Sequence, residues 1–188
     1  QGQTIISDEE PVDFFANVIS GAVKLTKTLP DGRQQIVGLL FAPDFLGRAY
    51  SKNNPYTAEA ATDVEICTFP NAAFERLVGE FPGLQSRLFQ HTLDELDAAR
   101  DWMLLLGRKT SLERVAAFLL EMDPRLTAAG VMALPMSRRD IADYLGLTLE
   151  TVSRALSHLH GMGILGFLGQ TQRQIVLLDR QRLAAMDL

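Results

Sequence analysis

The sequence predicts an α+β chain in three parts: a β-rich N-terminal domain (residues 1–82), one long helix (83–107) and a compact C-terminal domain (108–188). Short apolar stretches alternate with turn signals as far as residue 70, which is typical of strands. From Gly83 to Leu106 the apolar residues recur at helical spacing. Two further apparent helices then flank a Leu-Gly-Leu break, and a short hairpin follows them.

The N-terminal domain reads as a series of short strands separated by turns. Breaks such as Ser20-Gly21 and Pro43-Asp44 divide its apolar stretches. A recurrence of about 8–12 residues between such strands favours a barrel or a sandwich. Asp31-Gly32 lies between two apolar runs and predicts a tight hairpin, because this pair suits the turn that joins adjacent antiparallel strands.

The long helix carries an apolar seam with the spacing of a helix that pairs with another helix: Phe89, Leu93, Leu96 and Met103. We therefore expect a homodimer through this helix. The alternative is that the same seam packs on the β-rich domain. Four acidic residues crowd the helix: Asp94, Glu95, Asp97 and Asp101. Their like charges repel each other in a parallel pair, so we expect the association to be weak.

The C-terminal domain begins with a capping box at Thr110-Ser-Leu-Glu113, which starts a helix. The segment "DPRLTAAG" predicts a loop, and "VMALPM" predicts a short strand. Ser137 is a suitable N-cap with Asp140 as its partner, and Thr148 is a suitable N-cap for the following helix. Gly146 supplies the bend between them. This arrangement predicts a helix-turn-helix.

The second of these helices presents polar side chains on its predicted outer side. Arg154 has the donors to bind guanine, Glu150 can accept from cytosine, and Ser153 suits either kind of group. The alternative is a solvated Glu–Arg pair on an ordinary surface helix. The hairpin predicted at residues 166–178, with Arg173 near its tip, favours DNA binding because it would form a wing beside the helix-turn-helix.

The segments "MSRRDIADYLGLTLETVSRALSHL" and "LLLGRKTSLERVAAFLLEM" resemble the CRP/FNR family of transcription regulators, and the E-x-x-S-R pattern resembles its FNR/FixK branch. The resemblance covers the whole chain. It implies an N-terminal β-roll of the jelly-roll, cupin-like type, a long dimerisation helix and a C-terminal winged helix-turn-helix. It also implies that a homodimer binds double-stranded DNA at a palindrome of the TTGAT-N4-ATCAA type.

The resemblance further assigns roles to single residues. Glu150, Ser153 and Arg154 would read bases, and the rest of the implied DNA-contacting set is Ser137, Arg138, Arg139, Thr148 and Thr151. The exposed hairpin of Asp31, Gly32 and Arg33 is similar to a loop that contacts RNA polymerase in this family, although the same residues also suit a simple turn.

The β-roll of this family often binds a cyclic nucleotide, but two positions depart from that pattern. Arg48 stands where an acidic residue would hold the ribose, and Tyr56 stands where an arginine would hold the phosphate. A tyrosine hydroxyl cannot replace a guanidinium fork on a phosphate. We therefore expect no cyclic nucleotide to bind.

Cys67 is the second candidate for sensing. Strand alternation points Ile66 into the core and Cys67 to the opposite face, where free cysteine is most often a small buried hydrophobe. The resemblance instead makes Cys67 the fourth ligand of an oxygen-responsive [4Fe–4S] cluster. Such a cluster needs four thiolates, so we expect three cysteines upstream of Gln1. A FixK-like regulator without a cluster is the alternative.

Composition and the remaining motifs narrow the classes of function. The net charge of −5 comes from residues 1–136, which carry 12 Lys/Arg against 18 Asp/Glu, whereas residues 137–188 carry 6 against 5. The single cysteine suits a reducing cytoplasm, and no apolar run is long enough to cross a membrane. The three histidines form no evident triad or metal site, so we expect that the protein is not an enzyme. The alternative class of function is a small-ligand-binding module or an enzyme.

Overall fold

The computed structural model describes residues 1–8, 10–48, 50–51, 53–169 and 171–187. The chain folds into two compact units, Gln1–Met103 and Leu104–Leu188. The division falls within the long helix and lies between the predicted boundaries after residues 82 and 107. Among the described residues, no helix combines the length and the apolar character that a bilayer-crossing segment needs.

The N-terminal unit contains two antiparallel sheets, in agreement with the β-roll that the resemblance implies. Strand order is β1-β6-β3-β4 in one sheet and β5-β2-β7 in the other. Residues such as Val18, Val23 and Leu46 form the apolar core of this unit and are fully buried. The strands are β1 (Thr4–Ile6), β2 (Phe14–Ser20), β3 (Ala22–Thr28), β4 (Gln34–Phe41), β5 (Phe45–Leu46), β6 (Thr57–Ala60) and β7 (Glu65–Pro70).

Glycines occupy two of the predicted turns for steric reasons. Gly21, between β2 and β3, has a φ of +86°, and a Cβ there would lie 2.2 Å from the carbonyl oxygen of Asp63. Gly32 has a φ of +85° in the hairpin that joins β3 to β4. Both positions need the left-handed conformation that glycine adopts at no steric cost, so the hairpin predicted at Asp31-Gly32 is confirmed.

Two helices follow the strands: α1 (Asn71–Glu80) and α2 (Pro82–Arg108). Phe15 stacks on Phe74 of α1, with ring centroids 4.1 Å apart, and the start of α2 adds Leu84 and Leu88 to this aromatic cluster. One side of α2 therefore has its apolar partner within the N-terminal unit.

The C-terminal unit is a mixed α/β domain with a small antiparallel sheet in the order β10-β11-β9-β8. Phe118, Leu119, Leu145 and Leu159 are among the side chains buried in it. Its elements are α3 (Ser111–Leu126), β8 (Thr127–Ala128), β9 (Val131–Ala133), α4 (Arg138–Leu145), α5 (Leu149–Gly161), β10 (Leu165–Leu168), β11 (Gln174–Leu177) and α6 (Arg180–Ala184).

The prediction of a loop at "DPRLTAAG" is wrong for the first half of this segment, because α3 continues through Pro124 to Leu126. Proline removes one helical hydrogen bond, a penalty that usually ends a helix. Tertiary contacts hold this last turn instead. The guanidinium of Arg180 donates to both carboxylate oxygens of Asp123, at 2.6 and 3.0 Å, and the hydroxyl of Thr127 donates to the same carboxylate at 2.6 Å.

Candidate nucleic-acid interface

A reciprocal capping box starts α4, as predicted. The backbone N–H of Ser137 donates to the carboxylate of Asp140 at 2.8 Å, and the N–H of Asp140 donates back to the Ser137 hydroxyl at 3.1 Å. The helix buries the predicted residues Ile141, Ala142 and Leu145. Its start is therefore fixed both by the cap and by the core beneath it.

The bend between α4 and α5 depends on Gly146, whose φ of +61° is left-handed. The N–H of Leu147 returns to the carbonyl of Ala142 at 2.9 Å, which closes the end of α4. Thr148 then caps α5, because its hydroxyl accepts from the N–H of Thr151 at 3.2 Å and lies 2.9 Å from the Thr151 hydroxyl. These two threonines, predicted as DNA contacts, thus define where the helix begins.

The inner side of α5 is the predicted stripe of Val152, Leu156 and Leu159, of which no side chain is more than 1% exposed. The opposite edge carries the three residues that we define as the reading edge. Glu150 and Arg154 are exposed and Ser153 is half-buried. Burial of one side therefore leaves the predicted base-reading side chains on a single accessible edge.

Local hydrogen bonds favour the ionised form of Glu150 on the reading edge. The pKa of Glu150 is lowered, chiefly because the carboxylate accepts from its own backbone N–H and from the Thr148 hydroxyl. The charges of Arg154 and Arg139 lower it further. Glu150 is therefore an anion and a pure hydrogen-bond acceptor at neutral pH.

Leu149, the first residue of α5, has no role among the sequence-based predictions. Its side chain is 39% exposed and stands next to Glu150 at the start of the reading edge. The helical spacing alone places this apolar residue on the outer side of α5, so its exposure could have been predicted from the sequence. Such a group suits the methyl group of thymine in a major groove.

The wing is the hairpin of β10 and β11, whose register pairs Leu165 with Leu177 and Leu168 with Gln174. Arg173 near its tip is exposed, as the phosphate-contacting role requires, while Gln170 lies outside the described residues. A cavity of about 210 Å³ lies between the wing tip and the start of α4, and Ser137 is among its lining residues.

Arg138, which the resemblance places near a phosphate, has partners within the C-terminal unit. Its guanidinium sits 5.3 Å from the ring centroid of Phe167 in β10, and Nη2 donates to the backbone and side-chain oxygens of Gln172 at 3.5 and 3.3 Å. Burial lowers the pKa of Arg138. Arg139, the next residue, is exposed. Arg138 therefore joins α4 to the wing, and Arg139 is the accessible cation at this end of α4.

The predicted seam of α2 faces solvent in the single chain. Exposed fractions are 66% for Phe89, 39% for Leu93, 46% for Leu96 and 73% for Met103. The alternative that these four residues pack on the β-rich domain is wrong, because Leu84 and Leu88 make that contact. The seam is thus available to a second helix.

The hairpin predicted to contact RNA polymerase is exposed at Asp31, Gly32 and Arg33. Arg33 Nε donates to the carboxylate of Asp31 at 2.8 Å, and this bond lowers the pKa of Asp31. The loop therefore presents an ion pair rather than two independent charges.

Cys67 lies on β7 opposite Asn17 of β2, and its side chain is exposed. The interpretation of Cys67 as a small buried hydrophobe is therefore wrong, whereas Ile66 packs against the core as predicted. A [4Fe–4S] cluster needs four thiolates. The sequence contains one cysteine, and the described residues contain no group of three or more potential ligands, so these 188 residues do not fit the cluster by themselves.

The two positions that depart from a cyclic-nucleotide site differ in their surroundings. Arg48 is exposed, while Tyr56 is half-buried and packs against the core of the N-terminal unit. Burial raises the pKa of Tyr56, which keeps the phenol neutral. The absence of cyclic-nucleotide binding stays a prediction.

Comparison with known proteins agrees with this geometry. The profile of the Crp-like helix-turn-helix domain matches residues 113–186, and that of the cyclic nucleotide-binding domain matches residues 1–81. A probable transcriptional activator of Rhizobium leguminosarum bv. viciae is 45% identical over 98% of this chain and 78% of its own length. The transcriptional activator protein FnrL of Cereibacter sphaeroides is 44% identical over 97% of this chain and 76% of its own.

Among solved structures, FixK2 from Bradyrhizobium japonicum superposes with a TM-score of 0.94 at 49% identity, covering 100% of this chain and 94% of that one. The alignments with these relatives extend through both units, and the reading edge lies on a helix within the range that the helix-turn-helix profile matches. The chain therefore belongs to the FNR/FixK branch of the CRP/FNR family of transcription regulators.

Proposed function

We propose that this regulator binds an inverted repeat of the TTGAT-N4-ATCAA type as a homodimer, with one α5 helix in each half-site. The observation that carries this proposal is the reading edge, where Glu150, Ser153 and Arg154 are accessible while the opposite side of α5 is fully packed. Arg154 would donate to guanine O6 and N7, and the ionised Glu150 would accept from cytosine N4.

The accessible cations beside this edge suit the phosphate backbone. Arg139 at the start of α4 and Arg173 at the wing tip are both exposed, and Ser137 opens the same end of α4. Phosphate contacts of this kind fix the register of a protein on the duplex without reading sequence. Arg138 would support them indirectly through the wing.

A homodimer is favoured by the uncovered apolar seam of α2, because a symmetric pair of such seams would bury each other. The dimer presents two reading edges to the two halves of a palindrome. We place this activity in the cytoplasm, and the Asp31–Arg33 hairpin would offer an exposed contact to RNA polymerase.

The test is Arg154→Ala in the full chain, measured by fluorescence anisotropy with the palindrome. Loss of one bidentate base contact should cost about 1–3 kcal/mol, or about 5- to 150-fold in Kd. The variant should also stop discriminating against an operator altered at the contacted guanine. Arg108→Ala serves as the control, because Arg108 is an exposed arginine of the same unit but lies at the end of α2. Unchanged affinity and discrimination in Arg154→Ala would refute base reading by this edge.

Regulation by oxygen is a separate proposal, and the exposure of Cys67 is the observation that favours it. The thiol is accessible to a cluster whose other thiolates the 188 residues do not supply. A FixK-like regulator without a cluster is the competing assignment. Iron and sulfide measured in anaerobically purified native-length protein distinguish the two: a Cys67-dependent cluster, lost in Cys67→Ser, supports oxygen sensing, and cluster-free protein with full DNA binding supports the FixK-like assignment.

A further inference from the structure

One guanidinium in the C-terminal unit binds three separate backbone segments. Arg114, in the first turn of α3, donates from Nη2 to the carbonyl of Leu106 at 2.6 Å, from Nε to Lys109 at 3.0 Å and from Nη1 to Leu145 at 3.1 Å. The three acceptors belong to the last turn of α2, the α2–α3 connection and the end of α4. The side chain is half-buried at this junction.

Two of these acceptors are carbonyls that a helix cannot satisfy by itself. The last four carbonyls of a helix have no partner within it, and Leu106 and Leu145 lie in the last turns of α2 and α4. A cation is also favoured at the negative end of a helix dipole. Arg114 therefore closes two helix ends at once. The planar fork of an arginine suits this task, whereas the three donors of a lysine ammonium all lie on a single nitrogen.

The contact also reaches the turn that precedes the reading helix. Gly146 follows Leu145 directly, and a Cβ at Gly146 would lie 3.7 Å from Arg114 Nη1 and 3.7 Å from Leu106 Cδ2. Thr148, the cap of α5, is only two residues further along the chain. The last turn of α2 and the turn that leads from α4 into α5 thus rest against the same side chain.

We propose that Arg114 is a positioning residue that couples the last turn of α2 to the reading edge. A displacement of that last turn is transmitted through Leu106, Arg114 and Leu145 to the start of α5. Because α2 also carries the dimerisation seam, this contact links the state of that helix to the angle at which α5 meets DNA. The inference rests on the proposed function, since it takes α5 to be the helix that reads DNA.

The experiment compares the full chain with Arg114→Gln and Arg114→Lys, and uses Arg108→Gln as the control because Arg108 is an exposed arginine in the same last turn of α2. Palindrome affinity is measured by anisotropy and dimerisation by sedimentation. We expect both Arg114 variants to lose palindrome affinity by about 5- to 150-fold, the usual range of coupling between sites. Dimerisation and affinity for unrelated duplex DNA should stay unchanged.

Hydrogen exchange separates coupling from a general loss of stability and needs no DNA. The amide of Lys109 donates to Leu105 and that of Leu147 donates to Ala142, so each reports on one side of the contact. Both should exchange faster in the Arg114 variants, while the remote amide of Ile164 should not change. If Arg114→Gln does not fold, Arg114→Lys decides the outcome.

Three results would overturn the inference: wild-type palindrome affinity in Arg114→Gln, restoration of every property by Arg114→Lys, or an equal rise in exchange at Ile164. Failure of the wild-type protein to bind the palindrome would instead refute the proposed function. In that case the exchange measurements at Lys109 and Leu147 still decide whether Arg114 joins the two helix ends.

Discussion

Truncation of Leu96 on α2 should weaken dimerisation by an amount that follows from its exposure. Full burial of a leucine side chain is worth about 1.5–3 kcal/mol. In the single chain 46% of Leu96 is exposed, so covering it would contribute about 0.7–1.4 kcal/mol per protomer. A symmetric dimer contains this position twice. Leu96→Ala should therefore cost about 1.4–2.8 kcal/mol and raise the dimer Kd by about 10- to 100-fold.

Sedimentation equilibrium over a range of protein concentrations measures this change directly. Leu178→Ala is a matched control, because Leu178 is also an exposed leucine, at 61%, but it lies outside α2. We expect its dimer Kd to equal that of the wild type. A wild-type dimer Kd in Leu96→Ala, or an equal loss of dimer in Leu178→Ala, would contradict pairing through the seam of α2.

Three further predictions concern single side chains. Replacing operator thymine by uracil should weaken binding by the wild type more than binding by Leu149→Ala, because the exposed leucine is the side chain expected to contact the thymine methyl group; anisotropy with the four combinations measures this. Arg139→Gln should lower the slope of log Kd against log salt by about 0.9, whereas Arg138→Gln should weaken binding with little change in slope, since Arg138 acts through the wing. Burial raises the pKa of Glu121, so the folded protein should become more stable as the pH falls through the folded-state pKa of this group and less stable as the pH rises through it. Glu121→Gln still accepts from the Tyr144 hydroxyl and carries no charge. Its Tm should therefore exceed that of the wild type at neutral pH and equal it in acid.

The features that the sequence predicted well have local causes. The capping box at Ser137 and Asp140 needs only residues three apart, and the left-handed Gly146 needs only the chain beside it. Helical spacing likewise places Val152 inward and Arg154 outward without knowledge of the partner surface. The reading edge could therefore be predicted, because it is defined by one helix and its cap.

The features that were missed depend on contacts between distant parts of the chain. Helix α3 passes Pro124 because Arg180, 57 residues from Asp123, holds its last turn. Arg138 turns toward the wing because Gln172, 34 residues away, offers acceptors there. The exposure of Cys67 could not be predicted for a similar reason, because strand alternation shows on which face of a sheet a side chain lies but not whether another segment covers that face.

In the proposed function, a weak dimer and a short reading edge would together allow the protein to be switched without a change in the edge itself. One edge would make few base contacts, and the second edge would become an intramolecular partner only when the seam of α2 is paired. Palindrome binding should therefore depend on protein concentration relative to the dimer Kd. Leu96→Ala should recover wild-type occupancy of the palindrome when the protein concentration is raised, because its reading edge is intact. Arg154→Ala should not recover base discrimination at any concentration, since its dimers still lack the guanine contact. If both variants were rescued alike, dimerisation and base reading would not be separate steps.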